Sequence, residues 1–396
     1  MKRTIFLVDM NAFFISCEMT RYKSLAGLPA AVAGDPKKRT GIILAANYEA
    51  RKFGIKTAMT LHEALKYCPE IQLLPPDHSF YSQKSKEVMK LLSNYSPLIE
   101  QNSIDEAWLD MTGSGGVFGN PLACAEDIMK HLKQELGLWC SIGISENKFL
   151  AKMASNIKKP LGITEIWKDD IAFKLWPLPI GAMQGVGKQT AKKLKDMDIQ
   201  TIGALALLPQ TFLSAKLGKH GASLHQMANG IDHSPVIPHS ENDMKSIGRS
   251  CTLPEDLSDI ETLKIKLMHL ADEVGITARK YDKKGHIVQI TIKYFNFEII
   301  TRQASIPATN LTKDITCAGI ELLNKNWNPY KPVRLIGITL SGFDEDEIMN
   351  QISMFDHPGV CHSSKKEEIL EKTIDEIRNK YGFSKTNRAI LMEDKK

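Results

Sequence analysis

The N-terminal part of the chain alternates between short apolar runs and longer stretches of helical periodicity. The apolar runs predict four strands of one sheet, namely Thr4–Met10, Pro97–Ser103, Glu106–Met111 and Trp139–Ser145. Three further segments carry apolar residues at helical spacing: Asn11–Thr20, Pro121–Leu136 and Asn147–Asn156. Strands and helices in this order favour an α/β layer in which helices pack on a sheet.

An insertion with its own elements lies between about Tyr22 and Asp77. Its pattern predicts strands near Ala30–Gly34 and Ile42–Ala46, and short helices near Asn47–Phe53 and Thr60–Tyr67. The insertion is therefore expected to form a small subdomain.

The pattern changes from about Asp169 to His233, where short helices are punctuated by glycines. This stretch predicts a compact all-helical unit. The stretch Ser234–Asn242 follows, with two prolines and few apolar residues, and is typical of a linker between domains.

Beyond the linker, the order of elements is strand, helix, strand, strand, helix, strand. The six segments are Lys245–Leu253, Ser258–Tyr281, His286–Tyr294, Ile299–Ile306, Thr312–Trp327 and Val333–Ser341. This βαββαβ order predicts a complete small α/β sandwich. An acidic turn, the peptide QISMF, a charged amphipathic helix (Lys365–Tyr381) and a polar tail complete the chain.

Composition excludes several classes of protein. The 396 residues are 43% hydrophobic and 24% charged, which argues against disorder and favours two to four domains. No apolar run approaches the ~20 residues of a membrane span, so a soluble protein without a membrane is expected. The seven cysteines form no CxxC pair, which indicates a reducing cytosol and neither zinc nor disulfides. The net charge of +5 supports nucleic-acid binding only weakly, since a solvated surface of mixed charge explains it equally well.

Three carboxylates are the main candidates for chemistry. Asp9 ends the first predicted strand, and Asp105 and Glu106 lie where two strand-like segments meet in SIDEAWLD. Carboxylates at the ends of neighbouring strands can hold two Mg²⁺ ions for an in-line displacement. Two adjacent acids otherwise repel each other unless a cation neutralises them. The alternative is a solvent-facing acidic turn, and Asp110 is interpreted as structural.

Two segments offer contacts for a triphosphate. Tyr48 and Arg51 are three residues apart at the start of a predicted helix, so they share one face, where a hydroxyl and a guanidinium can bind phosphate. Lys159, in Lys158-Lys159-Pro160, is a further candidate. An ordinary helix surface uses the same residue types.

The peptide GVGKQTAKKL has the form of a helix-hairpin-helix. Gly185 and Gly187 lie in a turn that leads into a lysine-bearing helix, and backbone N–H groups at such a helix start bind phosphate without reading bases. Lys188, Lys192 and Lys193 favour DNA as the ligand. Glycine-turned helix pairs also occur as plain packing units.

Phe13 and Phe14 follow the first carboxylate at the start of a predicted helix. One of these rings is expected to lie in the core. The other could close the floor of a nucleotide pocket, where a ring against C2′ excludes a ribose hydroxyl by overlap.

Taken together, five motifs resemble those of the Y-family DNA polymerases, most closely the DinB or polymerase IV branch and its UmuC-like relatives. They are LVDMNAFFISCE, AANYEARKFGIK, SIDEAWLD, GISENKFLAKMASNIKKPLGI and GVGKQTAKKL, in the family's order and with similar spacing. The resemblance covers about residues 1–341.

The resemblance implies a right-hand architecture. Residues 1–21 and 79–168 would form an α/β palm, 22–78 small fingers, 169–233 a helix-hairpin-helix thumb, 234–243 a linker, 244–341 a βαββαβ little finger and 342–396 a tail.

The resemblance also implies roles for single residues. Asp9, Asp105 and Glu106 match the metal ligands, with the backbone carbonyl of Met10 completing one shell. Phe13 and Phe14 lie at the nucleotide, with Phe14 as the steric gate, and Tyr48, Arg51 and Lys159 contact the incoming dNTP. Asn147 and Lys148 lie near DNA in the SxNK motif. Asn11 stands where many relatives have an aspartate, and it is left outside the site.

Beyond the little finger, QISMF resembles the peptide by which polymerase IV proteins dock in the sliding clamp (β subunit). Its residues are Gln351, Ile352, Ser353, Met354 and Phe355. A polar anchor with two apolar plugs fits an apolar groove. The tail after Phe355 resembles UmuC-like Gram-positive proteins, and its role is left open.

The expected function is therefore low-fidelity, template-directed DNA synthesis across damaged templates, without proofreading and within the SOS response to DNA damage. Two Mg²⁺ ions, replaceable by Mn²⁺, would be the cofactors, and primer-template DNA, dNTPs and the clamp the partners of a monomer in the cytoplasm, associated with the nucleoid. Two alternatives stay open: a nucleotidyl cyclase, and a DNA- and clamp-binding protein with a degenerate site.

Overall fold

The computed structural model describes residues 3–35, 41–238, 244–343, 365–382 and 386. The chain divides into two compact units, residues 1–34 with 41–239, and residues 35–40 with 240–396. Each unit is described by itself. In the described part of the chain, no helix is both long and apolar enough to cross a membrane.

A five-stranded sheet forms the centre of the first unit. Its strands are β1 (Ile5–Met10), β5 (Ile99–Gln101), β6 (Glu106–Asp110), β7 (Cys140–Ser145) and β8 (Ile163–Glu165), in the order β5-β6-β1-β7-β8. The strand β1 is antiparallel to both β6 and β7, while β7 and β8 are parallel. The four predicted strands are confirmed with shorter ends, and β8 was not predicted.

Strand β1 is buried on both faces. Phe6, Val8 and Met10 point into a core shared with the helices α1 (Phe13–Arg21), α4 (His78–Leu92) and α6 (Pro121–Leu136). The short helix α5 (Gly115–Phe118) precedes α6 along the chain. Ile5 and Leu7 point the other way, onto Ala151 of helix α7 (Lys148–Ile157). By the period of two along a strand, Asp9 belongs to the face that α7 covers.

Helix α1 begins two residues later than the pattern predicts. Asn11 is buried and its side chain hydrogen-bonds Ser141 and the backbone N–H of Leu161, so it holds the chain away from the helical path. Ala12 then takes a left-handed conformation, with φ 48°, before Phe13 opens the helix. Sequence periodicity alone does not reveal such tertiary hydrogen bonds.

The inserted segment folds around a three-stranded sheet and a core of its own. Its elements are β2 (Ala30–Ala33), β3 (Ile43–Ala46), α2 (Tyr48–Lys52), α3 (Leu61–Tyr67) and β4 (Gln72–Leu74), with sheet order β3-β2-β4. The two predicted strands and two predicted helices are confirmed. The third strand was missed because it is only three residues long.

The all-helical prediction for the next segment is confirmed. Its helices are α8 (Lys188–Lys195), α9 (Ile202–Ala206), α10 (Gln210–Leu217) and α11 (Lys219–Ala228). Their core includes Phe149, Leu150 and Met153, which come from α7. Helix α7 thus packs on the sheet by one face and on this helical segment by the other.

The second unit contains the predicted βαββαβ order, with a four-stranded antiparallel sheet in the order β11-β10-β12-β9. Its elements are β9 (Ser246–Leu257), α12 (Ile260–Lys280), β10 (Gly285–Tyr294), β11 (Ile299–Thr309), α13 (Thr312–Asn326) and β12 (Val333–Ser341). The predicted tail helix is present with the same bounds, as α14 (Lys365–Tyr381).

Candidate active site

The three predicted carboxylates meet at one end of the five-stranded sheet. Asp9, near the end of β1, is paired in register with Glu106, the first residue of β6. Asp105 lies in the turn just before β6, and its carbonyl accepts a hydrogen bond from Met10 N–H at 2.9 Å. Strand pairing therefore fixes the spacing of the three groups.

Asp105 is held in a poorly solvated position. Its Oδ1 accepts a hydrogen bond from the Ser103 hydroxyl at 2.5 Å. Burial raises the pKa of Asp105 above its ordinary value, and the charges of Asp9 and Glu106 raise it further, against the effect of Ser103. A carboxylate in this position is stabilised by any cation that reaches it.

Two lysines already reach these carboxylates. Lys152, on α7, forms ion pairs with Asp9, at 3.0 Å, and with Glu106. Lys159 pairs with Asp9 at 2.8 Å. Burial lowers the pKa of Lys152, but the two carboxylates outweigh burial, so its pKa lies above the ordinary value.

Lys152 was missed in the sequence. The signal that would have found it is its setting, because it is the one cation among the buried apolar residues Phe149, Leu150, Ala151, Met153 and Ala154. A lysine inside a buried stripe is rarely left without an acidic partner.

The oxygen donors suit a hard cation such as Mg²⁺ in kind. As the side chains are placed, however, no three His, Cys, Asp or Glu residues in the described part of the chain group closely enough to hold a metal ion. Lys152 lies between two of the three candidate ligands. The carboxylate oxygens are therefore ligands of the kind that Mg²⁺ binds, but in this structure Asp9 and Glu106 are paired with Lys152.

A cavity of about 440 Å³ opens beside the carboxylates. Its lining includes Asp9, Met10, Asn11, Phe13, Phe14, Tyr48, Arg51, Asp105 and Lys159. Every nucleotide-binding candidate from the sequence therefore lies around one cavity, together with two of the three carboxylates.

The two phenylalanines line the cavity but differ in burial. Phe13 is 3% exposed and belongs to the core. Phe14 is half-buried and stacks on Tyr81, with ring centroids 4.5 Å apart and planes 15° apart. The Tyr81 hydroxyl donates to the buried Glu18 at 2.6 Å, so the ring behind Phe14 is fixed. Neither Tyr81 nor Glu18 was identified from the sequence.

Helix α2 brings Tyr48 and Arg51 to the same cavity. Asn47 caps this helix through the Ala50 N–H and also binds the neighbouring strand at Ala30 N–H. The Arg51 guanidinium lies 4.8 Å from the centre of the Tyr48 ring. The Tyr48 hydroxyl is buried and, within the described residues, has no hydrogen-bond partner. A buried polar atom of this kind calls for a ligand acceptor.

Asn147 and Lys148, predicted near DNA, have partners within the protein. Asn147 caps α7 at Leu150 N–H and donates to the Gly230 carbonyl at 2.8 Å. Lys148 pairs with Glu100 at 2.5 Å, and Glu100 also accepts from Ile237 N–H at 2.9 Å. These contacts hold residues 230–237 against the sheet, so a DNA contact by either residue stays a prediction.

The glycine turn before α8 has the predicted form. Gly185 has φ +88°, a conformation that favours glycine, and Gly187 is the N-cap of α8. Lys188, Lys192 and Lys193 on this helix are exposed. The clamp peptide, residues 351–355, lies outside the described residues.

Comparison with known proteins places this geometry in a family. The impB/mucB/samB family matches residues 8–156, its C-terminal domain matches residues 244–354, and a domain described as the thumb of DNA polymerase-iota matches residues 182–232.

Full-length relatives give the same result. A DNA polymerase IV of Clostridium kluyveri is 62% identical, over 100% of both chains, and one of Alkaliphilus oremlandii is 56% identical, over 99% of this chain and 100% of the relative. A solved Y-family DNA polymerase chimera superposes with a TM-score of 0.76 and 26% identity, over 86% of this chain and 99% of the other. The chain therefore belongs to the Y-family DNA polymerases, the impB/mucB/samB family.

Proposed function

We propose that this chain is a template-directed DNA polymerase of low fidelity that performs translesion synthesis. The observation that carries the proposal is the single cavity shared by the carboxylates Asp9 and Asp105 and by the unpartnered hydroxyl of Tyr48. The carboxylates suit metal-assisted phosphoryl chemistry, and the Tyr48 hydroxyl suits a triphosphate. The family to which the chain belongs supports the same function.

Asp9, Asp105, Glu106 and the carbonyl of Met10 would hold two Mg²⁺ ions, with Mn²⁺ as a substitute. When bound, such ions make the primer 3′-hydroxyl a better nucleophile and stabilise the charge on the leaving pyrophosphate. The carboxylates contribute by placement, because pairing of β1 with β6 fixes Asp9 opposite Glu106.

Tyr48, Arg51 and Lys159 would bind the phosphates of the incoming dNTP. Arg51 lines the cavity, and its side chain is oriented by a hydrogen bond from Nε to the Ala46 carbonyl at 3.0 Å. Lys159, which pairs with Asp9 in this structure, would offer its ammonium to a phosphate oxygen of the dNTP.

The exposed N-terminus of α8, at Gly185, Gly187 and Lys188, would bind the DNA. Asn147 and Lys148 would also lie near the DNA. The peptide Gln351–Phe355 would dock in the sliding clamp. We propose a monomer that acts in the cytoplasm, at the nucleoid, during the response to DNA damage.

Primer extension with Mg²⁺ and dNTPs tests the function. Asp105→Ala or Glu106→Ala should lower the extension rate by roughly a thousandfold or more, because each removes a charge that acts on the transition state. DNA binding should persist. Asp110→Asn is the matched control, since Asp110 lies on the same strand as Glu106. Its side chain accepts a hydrogen bond from Thr112 N–H and does not line the cavity.

Extension by the Glu106→Ala variant at the wild-type rate would contradict the assignment. A nucleotidyl cyclase would convert its nucleotide without any primer, and a degenerate clamp-binding protein would not extend one at all. The same assay, with and without primer and clamp, therefore separates all three functions.

A further inference from the structure

Lys152 joins two strands of the candidate active site. Its ammonium lies 3.0 Å from Asp9 Oδ2 and also pairs with Glu106 Oε2, so one cation spans the β1–β6 pair. The side chains of all three residues are at most 12% exposed. Lys152 therefore pairs with two of the three candidate metal ligands, out of contact with most of the solvent.

The backbone that carries Lys152 is held close to the sheet. A Cβ atom on Gly143 of β7 would lie 1.9 Å from the Ala151 carbonyl, so glycine is what allows this approach. On the other side of α7, Phe149 and Met153 are buried in the neighbouring core. Helix α7 cannot roll to withdraw Lys152, and only the lysine side chain itself is free to move.

The pairing also explains why the carboxylates tolerate each other without a metal ion. Asp9 and Glu106 are directly opposite across an antiparallel pair, where like charges are unfavourable. One ammonium offsets this repulsion, but it does so through the oxygens that a divalent ion would need. Two cations on the same oxygens repel each other strongly in a poorly solvated site.

We propose that Lys152 is a tethered counter-cation that competes with divalent metal for Asp9 and Glu106. The inference rests on the proposed role of these carboxylates as metal ligands. In the protein without DNA and nucleotide, Lys152 holds them in place and keeps the affinity for metal low. Metal binds when the lysine side chain moves aside. Lys152 is a positioning residue, since it acts through the carboxylates.

The test is the affinity of the full chain for Mn²⁺, measured by electron paramagnetic resonance without DNA or dNTP. Lys152→Met keeps the aliphatic stem and removes the charge, and it should tighten Mn²⁺ binding by roughly fivefold or more. Lys159→Met is the matched control, because Lys159 pairs with Asp9 alone and its side chain is 28% exposed. Its effect should be clearly smaller. Lys152→Arg, which restores the charge, should return the affinity toward that of the wild type.

Unchanged or weaker Mn²⁺ binding by Lys152→Met would overturn the proposal. Equal gains in Lys152→Met and Lys159→Met would also overturn it, since they would reflect net charge and not a bridging position. Because Lys152→Met leaves two facing carboxylates, its fold is checked by thermal unfolding. The melting temperature should fall in EDTA and recover with Mn²⁺ by more than in the wild type, and no such recovery counts against the proposal.

The role of the carboxylates is checked separately. If Glu106→Gln binds Mn²⁺ as the wild type does and still extends primers, the metal-site assignment itself fails. If Glu106→Gln loses both properties while Lys152→Met binds Mn²⁺ no more tightly, only the role of Lys152 fails.

Discussion

At the scale of single residues, the candidate site combines groups that are each unfavourable alone. Asp105 is a half-buried carboxylate with a raised pKa, Tyr48 carries a buried hydroxyl without a described partner, and Ala12 has a left-handed backbone. Costs of this kind concentrate where a protein binds or reacts. They argue for a site that a ligand completes.

The raised pKa of Asp105 gives a prediction for stability. A carboxyl whose pKa is raised by folding stabilises the fold when protonated, and that contribution is lost as the pH rises through the folded-state pKa. Asp105→Asn should therefore be more stable than the wild type by about 1 kcal/mol at pH 8 in EDTA. The gain should shrink as the pH falls and the wild-type carboxyl becomes protonated.

Thermal unfolding at a series of pH values checks this. Asp110→Asn, at the other end of β6, should show no gain that grows with pH. A wild type more stable than Asp105→Asn at pH 8 would contradict the prediction.

Phe14 gives a prediction for sugar selection. Phe14→Ala should raise the ratio of rNTP to dNTP insertion by roughly tenfold or more, because the ring that overlaps a 2′-hydroxyl is removed. Phe14→Tyr keeps the ring and should keep the selection. Single-nucleotide insertion kinetics measure the ratio.

Phe53→Ala serves as the control, since Phe53 is an exposed phenylalanine outside the cavity lining. If the ratio is the same in Phe14→Ala and in the wild type, Phe14 is not the gate.

At the scale of elements, the apolar pattern of helix α14 does not predict which of its faces packs against the rest of its unit. Ile369 and Leu370 are exposed, while Glu371 and Arg378 are buried. The helix contacts its unit through charge: Arg279, with its side chain 3% exposed, pairs with Asp375 at 2.6 Å and with Glu371 at 3.3 Å. The sequence predicted the bounds of this helix but not the face by which it packs.

Removing one partner of this buried network should release the helix. Arg279→Ala leaves Glu371 and Asp375 without their guanidinium, which typically costs about 3 kcal/mol or more. Hydrogen exchange of the amides in α14 should then accelerate by roughly a hundredfold in the full-length chain.

The matched control is Lys325→Ala, which breaks the exposed pair between Lys325 and Glu321 on α13. Exposed pairs contribute little, so exchange in α14 should stay unchanged. Wild-type exchange in Arg279→Ala would show that the network does not hold the helix.

The sequence predicted most helices and strands, because their hydrophobic periodicities are strong. It identified the carboxylates because an acidic pair after an apolar run is unusual. It found five further cavity residues from their type and position, and the resemblance gave these residues their expected roles. It missed Lys152, Tyr81 and Glu18, because their importance lies in partners far away along the chain. Tyr81 and Glu18 are 63 residues apart, and Lys152 and Asp9 are 143 apart. A local pattern can show that Lys152 lies in an apolar stretch, but it does not identify a partner so far away along the chain.

At the scale of the whole molecule, the contact pattern gives two units where the resemblance implied four subdomains and a tail. Among the described residues, the first unit contains four separate apolar clusters: on one face of the five-stranded sheet, between that sheet and α7, in the inserted segment, and among the helices α8 to α11. The finer division into palm, fingers and thumb stays a prediction, as do its exact boundaries.

Clamp dependence is a prediction for the whole chain. Met354→Ala combined with Phe355→Ala should remove the apolar plugs of QISMF and abolish the increase in product length caused by the sliding clamp, a loss of about tenfold or more. Extension without the clamp should stay at the wild-type level. His357→Ala, just after the peptide, is the control, and full stimulation of the double variant would exclude this peptide as the docking site.

Helix α7 serves two cores at once, with Ala151 on the sheet and Phe149, Leu150 and Met153 among the helices α8 to α11. In a library of random substitutions, α7 should therefore be among the segments least tolerant of change. Variants selected for altered lesion bypass should therefore carry substitutions on the exposed faces of the inserted segment. There a substitution can change activity without disturbing a buried core.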